Sequence, residues 1–206
     1  MALRILACAV MGYLLGMLNG AIVISKLLHH EDVRTKGSGN AGMTNFLRSY
    51  GGASTLLVIL IDAGKMVAAC FLAEAICPQE AAVAKMVAGT AVQLGHIFPI
   101  FFGLHGGKGI LCSGALAVVM DWRIFAVAFS LFLLIFLLTR YVSLGSVAAA
   151  AAYCVMFVVC FPSQPIVQGL GVFMGALAIL MHRGNIKRLL KGEERKTHLH
   201  KSKNKE

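Results

Sequence analysis

The chain reads as an all-α, polytopic integral membrane helix bundle, and three observations predict this. Of its 206 residues 58% are hydrophobic and 14% charged, with a mean hydropathy of +0.79, whereas soluble domains run near a quarter charged. Apolar stretches follow one another along the whole chain, divided by short polar segments. The basic residues gather on alternate connections, as the positive-inside rule requires of a multi-span protein.

A crossing needs about 20 apolar residues at a rise of about 1.5 Å each. The first candidate is Leu3–Leu27. Arg4 alone would serve as the charged region of a signal peptide, and the apolar run passes Asn19 without a small-residue cleavage site, so an uncleaved span is the better reading. Ser54–Cys77 and Ala81–Phe101 follow. Ile110–Met120 is short for a crossing and fits only as part of a broken or buried helix fed by the glycine loop before it. Trp122–Leu138, Ser143–Phe161 and Ile166–Met181 complete a set of seven.

Seven spans with the N-terminus outside and the C-terminus cytoplasmic place Lys26, Arg34, Lys36, Arg48, Lys108, Arg140 and every basic residue from Arg183 onward on the inner side. Arg4, Lys85 and Arg123 fall outside. Omitting the fourth crossing would put the first glycine cluster on the opposite face from the second. Residues 1–195 are expected to form one transmembrane domain, and 196–206 a mobile basic tail attracted to anionic lipid. The cysteines (Cys8, Cys70, Cys77, Cys112, Cys154 and Cys160) form no CxxC and no Cys/His ligand spacing, so neither metal nor disulfide is expected.

Three polar clusters interrupt the hydrocarbon-like sequence: Lys36–Asn45, Gly95–Gly109 and His182–Arg188. Gly37-Ser38-Gly39-Asn40-Ala41-Gly42 matches GxGxxG formally, but it follows an apolar span and His29-His30-Glu31-Asp32 rather than a strand, so no dinucleotide fold is implied. Gly106-Gly107-Lys108-Gly109 lacks the first glycine and the Ser or Thr of a Walker A loop. Glycines nonetheless let backbone amides approach an anion, and Ser38, Arg48 and Lys108 add charge and directed donors. The alternative for either loop is a plain turn at the membrane surface. Two such loops on one face, each with its own cation, favour anion binding.

Asp62 and Lys65, three residues apart inside a span, share a helix face. They form either a structural pair tying that span to a neighbour or a substrate contact. His96 is either a hydrogen-bonded packing residue or a cavity residue. Ser143 and Ser146 either back-bond to their helix or reach a phosphate. In the third cluster His182 and Asn185 share one face, and Arg183, Lys187 and Lys191 share a solvated one. No GxSxG and no His-x4-Asp acyltransferase signature occurs.

These clusters resemble those of the bacterial acyl-phosphate:glycerol-3-phosphate acyltransferases. The first motif is similar to Gly37-Ser38-Gly39-Asn40 with Gly42, Thr44, Asn45 and Arg48; the second to Gly95-His96-x-Phe98-Pro99 with Gly106-Gly107-Lys108-Gly109. The third resembles His182-Arg183-x-Asn185-Ile186-x-Arg188-Leu189-Leu190-x-Gly192-x-Glu194. Asp62-x-x-Lys65 and Arg140-Tyr141-Val142-Ser143-Leu144-Gly145-Ser146 match as well, while His105 stands where the family usually has Lys and Met66 where it commonly has Gly.

The resemblance implies a seven-span enzyme of the bacterial cytoplasmic membrane with its active site facing the cytoplasm. It would move a fatty acyl group from acyl phosphate to the sn-1 hydroxyl of glycerol 3-phosphate, without metal, cofactor or nucleic acid, in contact with membrane lipid. Ser38, Arg48, Gly106, Gly107, Lys108 and Ser146, with Ser143, are then expected around the acyl phosphate. His182 and Asn185 are expected around glycerol 3-phosphate with Arg183 and Arg188 beside them. The base is either His182 or the substrate's own phosphate. A transporter of organophosphates or other anions is the competing class, since it too would use glycine-broken helices and basic residues near a cavity.

Overall fold

The computed structural model describes residues 1–197, so residues 198–206 of the expected tail lie outside the described part. Among the described residues ten α-helices follow in order: α1 (Ala2–Gly16), α2 (Gly20–His29), α3 (Met43–Tyr50), α4 (Gly52–Ile76), α5 (Ala81–Ile97), α6 (Ile110–Met120), α7 (Trp122–Thr139), α8 (Val142–Cys160), α9 (Pro165–Met181) and α10 (Arg183–Leu190). No strand occurs among the described residues.

Among the described residues five segments are long and apolar enough to cross a membrane: Ala2–His29, Gly52–Ile76, Pro78–Phe102, Trp122–Thr139 and Val142–Cys160. The pair α9 and α10, bent by 53°, makes a sixth, and α6 is a shorter apolar helix. Length and apolarity thus support five or six crossings where the sequence led us to expect seven. Leu3, Leu14, Leu56, Leu60, Phe71 and Leu138 are exposed, as suits helices whose outer faces meet lipid.

The first apolar stretch is broken between α1 and α2, and the mid-span charges explain how a break survives in a buried place. Lys65 Nζ donates to the carbonyls of Gly16 (3.1 Å) and Leu18 (2.7 Å), beyond the reach of any helical amide. Asp62 Oδ1 accepts from the Gly20 amide at 3.1 Å, and Asn19 caps α2 by accepting from Ile22 N. The two charges pair at 2.8 Å with side chains almost wholly buried. Each therefore neutralises one helix end as well as its partner, as backbone freed inside a membrane requires. The structural reading of this pair is the one its contacts support.

The tightest helix contact joins α1 to α5. A side chain at Gly12, Gly16 or Gly95 would overlap the carbonyl oxygen of Ala88, Val92 or Tyr13 respectively. Small residues at such spacing let helix backbones meet where lipid offers no hydrophobic drive for association. On the other side of the bundle α7 carries a ladder of Phe125, Phe129, Phe132 and Phe136, with successive ring centroids 5.3, 6.1 and 6.0 Å apart. Gly145 lets α8 close against Phe132 of that ladder.

Candidate active site

A cavity of about 650 Å³ opens between the loop before α3, the start of α6, and helices α7, α8, α9 and α10. Ser38, Asn40, Thr44 and Asn45 reach it from the first cluster, Arg48 from α3, and Lys108 and Gly109 from the second cluster. Ser143 and Ser146 come from α8, and His182, Asn185 and Arg188 from the third cluster. Residues up to 150 positions apart in sequence thus converge on one polar pocket.

Local geometry aims each of them. Gly37 and Gly39 adopt φ of +59° and +74°, which L side chains rarely take. The loop they shape is stapled by Asn45, whose Oδ1 accepts from Ser38 N at 2.9 Å and whose Nδ2 donates to Val33 O and Lys36 O at 3.1 Å. Asn45 lines the cavity but spends its amide on the loop, while Gly37 and Gly39 do not line it.

Gly106 and Gly107 correct the expectation of free phosphate-facing amides. Their N–H groups donate to Ile97 O (3.0 Å) and His96 O (3.1 Å), satisfying the last carbonyls of α5, and neither residue lines the cavity. They must be glycine because a Cβ at either would overlap His96. The amides that do open on this region are those of the first turn of α6, whose N-cap, Gly109, supplies no side-chain acceptor. Gly109, Ile110 and Leu111 line the cavity there, at the positive end of the α6 dipole.

The remaining expected residues divide. His96 touches the cavity, yet its Nδ1 lies 3.1 Å from Lys65 Nζ and 3.5 Å from Asn19 Nδ2 and Asp62 Oδ1, so it belongs to the network at the α1–α2 break. Arg183 is exposed on the solvated face of α10 and does not line the cavity. Ser146 Oγ donates to Val142 O at 2.9 Å, the back-bond that one reading of the sequence allowed.

Glu194 closes the third motif, and its role emerges only in the fold. Its Oε1 accepts from Ser143 Oγ (2.8 Å) and Asn185 Nδ2 (2.7 Å), and its Oε2 from Arg188 Nε (2.7 Å). Asn185 Oδ1 in turn accepts from Lys108 Nζ. Burial pulls the Glu194 carboxyl upward, but the hydrogen bonds from Asn185, Ser143 and Arg188 outweigh it and hold the group below its ordinary range. Lys108 is lowered to about 8, by burial first and then by the positive charges of Arg188 and Arg48, against the opposing pull of Glu194. The pocket is therefore a cationic, donor-rich site held in shape by one internal carboxylate.

His182 is buried at the turn between α9 and α10, with Nδ1 2.7 Å from Ala178 O. A carbonyl at Nδ1 requires the proton there, which leaves Nε2 of the neutral ring as an acceptor. Near the pocket, Thr197 N donates to Arg140 O, and Arg48 donates to Thr197 Oγ1, both at 2.9 Å. Thr197, in the expected mobile tail, is thus held between α3 and the α7–α8 turn.

Away from the pocket the cavity becomes apolar, between Ala117 and Val118 of α6, Phe125 and Phe129 of α7, and Ala150 and Tyr153 of α8. Val142, Ser143, Ser146, Ala149, Ala150 and Tyr153 of α8 border it, spread over about 16 Å at helical rise. A donor-rich pocket continuous with a long apolar cleft suits an amphiphile with a phosphorylated head.

Comparison with known proteins agrees with this geometry. A family model described as glycerol-3-phosphate acyltransferase matches residues 6–192. A glycerol-3-phosphate acyltransferase of Thermoanaerobacter sp. (strain X514) is 35% identical over 188 residues, 91% of this chain and 93% of the relative. One from Jannaschia sp. (strain CCS1) is 38% identical over 192 residues, 91% of this chain and 90% of the relative. The crystal structure of PlsY (YgiH), an integral membrane glycerol 3-phosphate acyltransferase in its glycerol 3-phosphate form, superposes with a TM-score of 0.85 at 34% identity, covering 94% of this chain and 96% of that one. Its lysophosphatidic acid form gives 0.82 at 32% identity, covering 94% and 95%. The chain, an all-helical integral membrane protein, belongs to the glycerol-3-phosphate acyltransferase family.

Proposed function

We propose that this protein transfers a fatty acyl group from acyl phosphate to the sn-1 hydroxyl of glycerol 3-phosphate, releasing lysophosphatidate and inorganic phosphate. The observation that carries the reading is the single cavity in which Lys108, Arg48, Ser143 and Asn185 meet an apolar cleft along α6, α7 and α8. Its relatives are named for glycerol 3-phosphate, and one was solved with forms of both that substrate and lysophosphatidic acid.

Acyl phosphate is a mixed anhydride that already carries its leaving group. The sn-1 oxygen attacks the acyl carbon, the bond from that carbon to the phosphate oxygen breaks with its electron pair, and the hydroxyl proton ends on the released phosphate. His182 Nε2 or a substrate phosphate relays it. Positioning and charge stabilisation suffice for such a step. Ser38, Arg48, Lys108 and Ser146, with Ser143, hold the acyl-phosphate head beside the first turn of α6. His182 and Asn185, with Arg188, hold glycerol 3-phosphate, and the acyl chain runs along the phenylalanines of α7.

The same reading treats α6 as a short crossing. That gives seven spans in a bacterial cytoplasmic membrane, the N-terminus outside, and the pocket and the C-terminal residues on the cytoplasmic side with the basic excess. A transporter would place its polar groups near the bilayer midplane with access from both sides, whereas these gather at one end of the cavity.

The test is purified protein in detergent with synthetic acyl phosphate and radiolabelled glycerol 3-phosphate. Lysophosphatidate and phosphate should form without acyl carrier protein or coenzyme A. Uptake of glycerol 3-phosphate into proteoliposomes with no new lipid would contradict the assignment.

A further inference from the structure

We propose that Ser113 donates a hydrogen bond to the carbonyl oxygen of the acyl donor, and that the buried Gln93 aims it; this rests on the acyl-phosphate reading of the same cavity. Ser113 sits one turn into α6, its amide bonded to Gly109 O at 2.8 Å. It lines the cavity although it is only 6% exposed. Its neighbours in the cavity wall are Gly109 and Ile110 on the phosphate side and Ala117 and Val118 on the apolar side. Where head meets tail in an acyl phosphate there is one group, the carbonyl.

The direction of the hydroxyl follows from Gln93, which is fully buried on α5. Gln93 Nε2 lies 3.0 Å from Ser113 Oγ and 3.2 Å from Met174 O. A backbone carbonyl accepts only, so the end of the amide facing Met174 must be the nitrogen, and its second hydrogen goes to Ser113. Ser113 oxygen is thereby an acceptor, and its own hydrogen has no acceptor among the described residues. Gly109 keeps the glutamine in place, since a Cβ there would meet Gln93 Cγ and Nε2 at 2.8 Å. Holding the glutamine so leaves its Oε1 buried without a partner, a cost that a packing residue would avoid and an aimed donor explains.

In the reaction the glycerol oxygen bonds to the acyl carbon and the carbonyl π electrons move onto the carbonyl oxygen. Ser113 O–H stabilises that charge and keeps its proton. The C=O then re-forms as the bond to the phosphate oxygen breaks. A preset donor at a developing oxyanion acts on kcat rather than on substrate affinity.

Steady-state kinetics of purified wild type, Ser113→Ala, Gln93→Leu and the double variant test this. Ser113→Ala should lower kcat roughly 100-fold, leaving KM for both substrates and the melting temperature unchanged. Gln93→Leu should lower kcat less, and added to Ser113→Ala should lower it no further, since it acts through the hydroxyl. Wild-type kcat in Ser113→Ala, or losses that multiply in the double variant, would overturn the proposal. Wild-type protein inactive with acyl phosphate would instead overturn the reading beneath it.

Discussion

Asn185 Nδ2 donates to Glu194 Oε1 across 2.7 Å, while the same amide's oxygen accepts from Lys108 Nζ. One side chain thus links the loop before α6 to the segment after α10. Glu194 gathers Ser143, Asn185 and Arg188, a set of donors that a phosphate oxygen would also use. The polar end of the cavity is organised for anions before any substrate arrives.

Lys108→Ala and Asn185→Ala should therefore each lower lysophosphatidate formation by at least about 100-fold. Membrane insertion should be unaffected, because neither residue belongs to an apolar run of the kind that drives insertion. Activity in detergent with protein amounts matched by immunoblot checks both.

Glu194→Ala removes the common acceptor of three donors. The variant should lose roughly 2 kcal/mol of stability for a charge-assisted contact of this kind, and its KM for glycerol 3-phosphate should rise. Thermal denaturation in detergent, followed alongside kinetics, reads both effects.

Lys108 loses its charge at a lower pH than an ordinary lysine, about 8. The ammonium is present below that pH and lost above it, so kcat/KM of the free enzyme should fall as pH rises through about 8. In Lys108→Arg, whatever activity remains should keep its level past that point. A pH profile without a descending limb in that range would be inconsistent with a required Lys108 charge.

Asp62→Ala leaves the Lys65 ammonium buried against two carbonyls with its carboxylate gone. Removing one partner of a buried pair costs about 3–5 kcal/mol. The variant should be poorly recovered from membranes and should melt earlier. Gly16→Leu should fail in the same assay for a different reason, since its side chain would overlap Val92 O.

The helices that lie wholly in hydrocarbon were legible in the sequence because span length and apolarity are local properties: α4, α7 and α8 fall close to Ser54–Cys77, Trp122–Leu138 and Ser143–Phe161. The break between α1 and α2 was not, because the apolar run continues through it and its carbonyls are satisfied by Lys65 from another helix. Glycine composition points to the right loops but cannot say which partner takes each amide, so Gly106 and Gly107 look like phosphate ligands in the sequence whereas in the fold they close α5. His182, Asn185 and Lys108, which spacing and charge single out, line one cavity. Glu194 is hidden because one of two adjacent acids after a basic helix looks like an ordinary surface residue until Ser143 and Arg188 fold against it.

The most direct measurement is a crystal structure with glycerol 3-phosphate and a non-transferable acyl phosphonate bound together. Both phosphorus atoms should lie in the one cavity, within hydrogen-bonding reach of Lys108, Asn185 and Ser143, with the alkyl chain along Phe125 and Phe129. Phosphoryl groups held at opposite ends of the bundle, or away from Lys108 and Asn185, would contradict a shared site.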